Sequence, residues 1–217
     1  MWFMKKKVLY IVVFIGILIF LRIFFFEVYA INQSSMKNTY SSGDRVLIIK
    51  IFYTVRRNDI FVLKYENDNI IKRCLCLPGD TLIIKNGIYY SNGIALLSPK
   101  HAITGENSNI DIFTSSNIYS TYGTNWTLNN FGPYVVPKKG MVVNLTPNII
   151  ALYGQIIKGD RLSKNIRGTF KENSSSFYTF QNDYLFVVGD NRMQSSDSRV
   201  FGPIKANSIK GKVIVNF

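Results

Sequence analysis

Residues 32–44 read Asn-Gln-Ser-Ser-Met-Lys-Asn-Thr-Tyr-Ser-Ser-Gly-Asp, with four serines and neither cysteine nor histidine. A serine hydroxyl becomes a nucleophile only when a base removes its proton. The chain's one histidine, His101, lies in a polar stretch far along the sequence. Lys72 is the other candidate base, in the apolar run Asn-Ile-Ile-Lys-Arg-Cys-Leu-Cys-Leu (69–77) ahead of Pro78-Gly79-Asp80. Free lysine has a pKa near 10.4, so roughly a few molecules in ten thousand are neutral at pH 7. Burial lowers that value by several units, into the range of about 7–8 that general-base lysines use. An exposed strand-edge lysine would keep its charge, whereas Arg73 close in space would push the same way as burial. A third group of residues is Gly189-Asp190-Asn191-Arg192, a turn after a strand, followed by Ser195, Asp197 and Arg199. On an extended segment that alternation aims all three to one side. By themselves they read as an Asp–Arg pair and a turn serine.

These residues must be held by elements that the rest of the chain provides. Val8 to Phe26 are nineteen residues with one charge, Arg22. As a helix they span about 28 Å, against a bilayer core of about 30 Å. That predicts a transmembrane anchor at 8–26, with residues 1–7 and their lysines Lys5, Lys6 and Lys7 kept in the cytoplasm. A cleaved leader is the competing reading, but the apolar run exceeds the usual ~7–15 residues, and Glu27 crowds the small-residue site at 28–30.

Beyond the anchor come apolar runs of strand length at 45–50, 59–65, 69–77 and 80–85, then 131–145, 183–190 and 211–217. Asn86-Gly87 and Asn92-Gly93 are tight-turn signals. The stretches 98–130 and 164–176 are polar and loop-like. The expected architecture is mostly β: a catalytic antiparallel domain of 27–85 and 183–217, interrupted by an inserted β/loop domain over 86–182. The net charge of +13 is spread along the chain, with no arginine-rich helix or zinc-finger pattern, so no nucleic-acid partner is expected. Cys74 and Cys76 are too close to staple a fold. Strand alternation would put both on one face as small core residues. With one histidine and no Cys-x-x-Cys pair, neither a metal nor another cofactor is expected.

Together the serine cluster, the strand lysine and the final Gly-Asp-Asn-Arg group resemble the boxes of the bacterial type I signal peptidases, a family of membrane-anchored Ser–Lys proteases. Ser-Ser-Met-Lys-Asn-Thr-Tyr-Ser-Ser-Gly-Asp (34–44) is similar to that family's nucleophile box, and Arg-Val-Leu-Ile-Ile-Lys (45–50) continues it. Ile-Ile-Lys-Arg-Cys-Leu-Cys-Leu-Pro-Gly-Asp (70–80) resembles the lysine box. Gly-Asp-Asn-Arg-Met-Gln-Ser-Ser-Asp-Ser-Arg (189–199), with Gly202, resembles the last box. The resemblance implies Ser35 as nucleophile and Lys72 as general base, with Ser195 orienting the Lys72 ammonium. Asp197 and Arg199 would pair to hold that wall, and Asp190, Arg192 and Arg73 would support it. The Ser35 N–H would donate to the oxyanion. Gln33 stands where the family often has a helping serine, so Gln33 or Ser34 would complete the oxyanion hole. Asn38 stands in place of the usual proline and loosens the turn. The implied substrates are signal peptides of exported preproteins, cut after a small-x-small motif on the outer face of the cell membrane by a monomer. Tyr29, Ile31, Met36, Ile70 and Ile71 would wall the substrate pockets. The alternatives are a non-catalytic membrane-anchored β binding module, which predicts Ser35 and Lys72 far apart, and an inactive homologue, to which Gln33 and Asn38 point.

Overall fold

The computed structural model describes residues 2–100, 102, 112–163 and 177–217, with the side chains of 2–5, 8, 112–116 and 161–163 outside the description. His101, part of the polar stretch 98–130 and the whole of 164–176 therefore lie outside the described residues. In chain order the elements are α1 (Trp2–Phe24), β1 (Phe26–Ala30), β2 (Arg45–Ile49), β3 (Ile60–Tyr65), β4 (Asp68–Cys76), β5 (Thr81–Lys85), β6 (Ile88–Ser91) and β7 (Ile94–Ala95). They continue as α2 (Ile112–Tyr122), β8 (Phe131–Val135), β9 (Val142–Asn144), α3 (Pro147–Ser163), β10 (Phe177–Thr179), β11 (Tyr184–Val188), α4 (Ser198–Phe201), β12 (Ile204–Lys205) and β13 (Ile209–Asn216).

Every expected strand run forms a strand, and all pairings are antiparallel. The large sheet has the order β1-β2-β13-β3-β4-β11-β12, and a second sheet has the order β7-β6-β5-β8. Both Asn-Gly pairs are hairpin turns. Asn86 and Gly87 have φ of 50° and 77°, and Asn92 and Gly93 have 53° and 80°. Two consecutive left-handed residues are what a two-residue turn matching the strand twist requires. β11 is buried at all five positions. Tyr184, Phe186 and Val188 face a large aromatic core with Tyr122, Phe131, Tyr134, Tyr153 and Phe180. Leu185 and Val187 face a second core with Phe61, Leu63 and Cys74. The period of two divides one strand between two cores.

Four expectations are corrected here. The N-terminal helix runs from Trp2 to Phe24, so residues 2–7 are helical and Phe26 belongs to a strand instead of an anchor. Among the described residues no helix is long and apolar enough to cross a membrane; the unbroken run of described α1 side chains begins only at Leu9. The middle of the chain is not all β and loop. α3 buries Tyr153 and Ile157 and packs Ile149, Leu152 and Ile156 on the aromatic core, a 3–4 spacing that marks a helix face. α2 buries Ile118 and Tyr122, four apart. The sheet boundary falls at Pro78-Gly79-Asp80, before β5, because β5 pairs with β6 and β8. Finally, Cys74 and Cys76 do not share a face. Phe186 pairs with Cys76 and Val187 with Cys74, a bulge that gives β4 one extra residue. It turns Cys76 into the aromatic core and leaves Cys74 in the other. Both thiols are free, and burial pushes each up to about 12, which keeps them unreactive.

The two parts of the fold are tied by Asp160 of α3. Its carboxylate accepts from Tyr184 (2.7 Å), Asn182 (2.8 Å) and Tyr178 (3.1 Å), and pairs with Lys205 at 2.9 Å. Burial alone would raise its pKa, but the bonds from Tyr184 and Lys205 hold it below the usual carboxylate range. Asp160→Ala removes that shared acceptor and strands buried donors. A loss of about 3 kcal/mol is expected, read as a lowered Tm. Wild-type stability from this group should be lost only as pH falls below the ordinary carboxylate range.

Candidate active site

Ser35 sits on a tight turn over 34–40. The Lys37 N–H donates to the Ser34 carbonyl (3.0 Å), and the N–H groups of Thr39 and Tyr40 donate to that of Met36 (2.9 and 2.8 Å). The Met36 side chain, fully buried, plugs a core of Ile31, Val46, Ile48, Val62 and Ile71 beneath the turn. Asn38 has φ 74°, a conformation open to asparagine and closed to proline. Turn hydrogen bonds and the Met36 plug thus supply the rigidity that the absent proline would have given.

β4 supplies Lys72. Its Nζ lies 2.6 Å from Ser35 Oγ, in hydrogen-bonding geometry. The amine is 2% exposed, opposite Phe61 on β3, with Ile71 and Cys74 nearby in the strand. Desolvation pushes its pKa down to about 8, helped by the Arg199 charge and opposed by Asp197. At that value about one molecule in ten is neutral at pH 7, some two hundred times the fraction of free lysine. A neutral amine at this distance can take the hydroxyl proton, which a fully charged lysine cannot.

The third wall is the segment 189–199. Asn191 donates its N–H to the Ser35 carbonyl (2.9 Å) and its side-chain amide to that of Ser34 (3.2 Å). The Ser35 N–H has no acceptor among the described residues. Asp190, with no exposed surface, receives both Arg73 Nε (2.8 Å) and Nη2 (2.6 Å), and Thr39 Oγ1 (2.5 Å). One carboxylate thus ties the serine turn, the lysine strand and the last segment together. Asp197 and Arg199 form a second, fully buried pair, Nε to Oδ1 at 2.9 Å and Nη2 to Oδ2 at 2.8 Å. Burial alone would raise the Asp197 carboxyl; Arg199 overrides it and holds it down, and Arg199 in turn is held charged. The remaining guanidinium donors go to Tyr89 Oη (3.0 Å) and the Arg192 carbonyl (2.6 Å). Every guanidinium nitrogen of Arg199 thus has an acceptor, an arrangement that keeps a buried pair in its geometry.

Several expected contacts are not made. Arg73 does not touch Lys72; its fork is taken by Asp190, and Arg199 is the cation that acts on the lysine. Asp197 and Arg199 do not meet by strand alternation: Asp197 caps the helical turn α4 and accepts the Arg199 N–H. Ser195 Oγ is buried without a hydrogen-bond partner and packs beside Gly189, so it does not hold the Lys72 amine here. The Gln33 amide donates to the Asn69 carbonyl (3.3 Å) instead of facing Ser35, and Ser34 is exposed, offering only its carbonyl to the cluster. Ile31 and Met36 have no exposed surface, Ile71 has 1% and Ile70 8%, so these four are packing; of the expected pocket walls only Tyr29 keeps appreciable exposure.

The structure adds residues that sequence reasoning missed. Tyr89 reaches in from the second sheet, its hydroxyl on Arg199 and its ring 4.2 Å under the Arg192 guanidinium. Thr39 braces Asp190. Asp80 of the Pro-Gly-Asp turn accepts from Arg57, Asn92 and the Leu77 N–H and fixes the crossing between the sheets. Only Asp80 carried a local signal, the turn itself.

With this geometry established, comparison with known proteins is informative. The family described as signal peptidase, peptidase S26, matches residues 4–217. A signal peptidase I of Bacillus caldolyticus is 28% identical over 197 residues, covering 89% of this chain and 80% of that protein. One from Aquifex aeolicus is 27% identical, covering 98% of this chain and 83% of that protein. One from Streptococcus pneumoniae is 29% identical, with 99% and 93% covered. The chain belongs to the signal peptidase family. It is a serine endopeptidase.

Gly189 offers a direct test of how tightly this site is packed. A Cβ there would collide with the Ser35 carbonyl oxygen and with Ser195 Oγ. Gly189→Ala must shift the serine turn, and a displacement on the order of 1 Å costs roughly 10²-fold in rate. Steady-state kinetics of Gly189→Ala should show that loss in kcat.

Proposed function

We propose that this chain is a membrane-anchored signal peptidase I that removes signal peptides from exported preproteins, with Ser35 as nucleophile and Lys72 as general base. The single observation that carries the mechanism is the buried Lys72 amine 2.6 Å from Ser35 Oγ, with its pKa pushed down to about 8.

The neutral Lys72 amine takes the Ser35 proton as Oγ attacks the scissile carbonyl carbon. The Ser35 N–H faces the developing oxyanion. Lys72 then returns the proton to the departing amine, which leaves as the new N-terminus of the mature protein. In the second half Lys72 deprotonates a water that attacks the acyl-serine, and passes that proton back to Ser35 as the ester breaks. Asp197 and Arg199 hold the electrostatic wall behind the amine, Asp190 with Arg73 and Thr39 fixes the three segments, and Arg192 braces the wall through Tyr89. Ser195 belongs to the same wall, against Gly189.

The anchor is part of this proposal. The described apolar side chains of α1, from Leu9 to Phe24, are about half exposed all round, the pattern of a helix with no protein face of its own. β1 begins two residues after the helix, and the Phe25 ring lies 5.8 Å from the 84%-exposed Phe52, tilted by 34°. That apolar rim at the helix end supports a catalytic domain resting on the outer bilayer surface, where the cleavage sites of membrane-held substrates emerge. The catalytic part is built on the large sheet, and the β5–β8 sheet with α2 and α3 forms the inserted part.

Cleavage of a preprotein with an Ala-x-Ala site should rise with pH through about 8 and level off above it. Ser35→Ala and Lys72→Ala should each lose at least ~10³-fold. A rate climbing only above pH 10, or a wild type cutting no faster than the variants, would sink the reading. Stability should change in the same direction, over a higher pH window. The folded amine has a pKa of about 8 against an ordinary value of 10.5, so its burial penalty is fully present below pH 8. It fades as pH rises from 8 towards 10.5. Lys72→Met should therefore stabilise the protein by about 3 kcal/mol at pH 7, an advantage that thermal denaturation at pH 10.5 should show to have disappeared.

A further inference from the structure

β4 has two edges, and they are used unequally. β3 pairs with it from Asp68 to Arg73, whereas β11 pairs with it only at Arg73, Cys74 and Cys76. Residues 69–72 thus present an edge with no strand partner among the described residues, ending at Lys72. Its first carbonyl, Asn69 O, is taken twice by side chains: the Tyr29 hydroxyl at 2.7 Å and the Gln33 amide at 3.3 Å. Both come from the segment that carries Ser35, and both cross the cleft between that segment and β4.

An extended peptide lying in this cleft with its scissile bond at Ser35 would add to β4 as a strand, and main-chain hydrogen bonds would supply its affinity. Asn69 O is the acceptor such a strand reaches on the approach to Lys72. The position is already filled by the enzyme's own groups. The two occupants are not equivalent. Tyr29 is held in β1, paired with Val46, and its bond is short. Gln33 lies in the irregular stretch after β1, half-buried, and its bond is long.

We propose that Gln33 is a specificity-setting residue that occupies the substrate's main-chain position on Asn69 when the cleft is empty, and is exchanged for a substrate N–H on binding. This rests on the Ser35–Lys72 peptidase reading for what the cleft holds. Gln33 then acts on binding, through competition, and not as an oxyanion donor. The exchange favours a peptide whose main chain is extended there, with its N–H free to reach Asn69 O. A proline at that point lacks the N–H to take its place, and a turn directs its N–H away from Asn69 O.

The test separates binding from catalysis. In a Ser35→Ala background, the dissociation constant of a peptide with an Ala-x-Ala site is measured with and without Gln33→Ala. Removing the competitor should tighten binding about two- to fivefold, the range of one modest hydrogen bond. Gln33→Glu, of equal length but unable to donate when ionised, should tighten it likewise. In the active enzyme KM should fall by the same factor, without the ~10²-fold loss of kcat that removing an oxyanion donor brings. Unchanged or weaker peptide binding in Gln33→Ala, or a kcat loss of that size, would overturn the proposal. If the Ser35 enzyme does not cleave but Gln33→Ala still tightens the peptide, the peptidase reading falls and the competition stands.

Discussion

The structure depends on keeping one amine dry. A lysine in water is useless as a base at neutral pH, and no histidine lies among the described residues to replace it. The large sheet solves this by placing Lys72 on an interior strand, with Phe61 across from it and Ser35 against its Nζ. The cost is borne as stability: the folded state holds a group that would rather be solvated. Asp197 favours the charged amine and more than offsets the opposing push of Arg199, so burial alone carries the downward shift. Desolvation sets the base strength of the amine, and two opposite, fully buried charges trim it in opposite directions while bonding to each other.

The second constraint is assembly. Ser35, Lys72 and the 189–199 segment come from three separate parts of the chain, and none is adjacent to another in sequence. Asp190 joins all three, through Arg73 on β4 and Thr39 on the serine turn, while Asn191 bonds the backbone of Ser34 and Ser35 directly. The second sheet enters the same network through Tyr89. The second sheet is thereby coupled to the electrostatics of the lysine.

Much of this was legible in the sequence, for a physical reason. Strand runs, Asn-Gly turns and the Ser-Met, Lys and Gly-Asp-Asn-Arg groups are local patterns, and local patterns survive being read one residue at a time. The helices were harder: the α3 spacing of Ile149, Leu152, Tyr153 and Ile156 was present but lay beside polar residues that suggested loop. The β4 bulge, which separates Cys74 from Cys76, has no local signature because it depends on β11. Side-chain partners were the least readable. Which acceptor Gln33 finds, whether Arg73 faces Lys72 or Asp190, and that Tyr89 reaches Arg199 are decided by strands that meet only in three dimensions.

The distance in sequence between Thr39 and Asp190, 151 residues, has a consequence in time. A chain is made from its N-terminus, so Ser35 exists long before the segment that fixes its turn. Until Asp190, Asn191, Asp197 and Arg199 have been added and folded, Ser35 lacks its backbone brace and Lys72 lacks the charged pair beside it. The nascent protein therefore carries an unbraced Ser35 until that segment has been added. On the proposed mechanism, proteolytic competence waits for a brace that follows the serine turn by 151 residues.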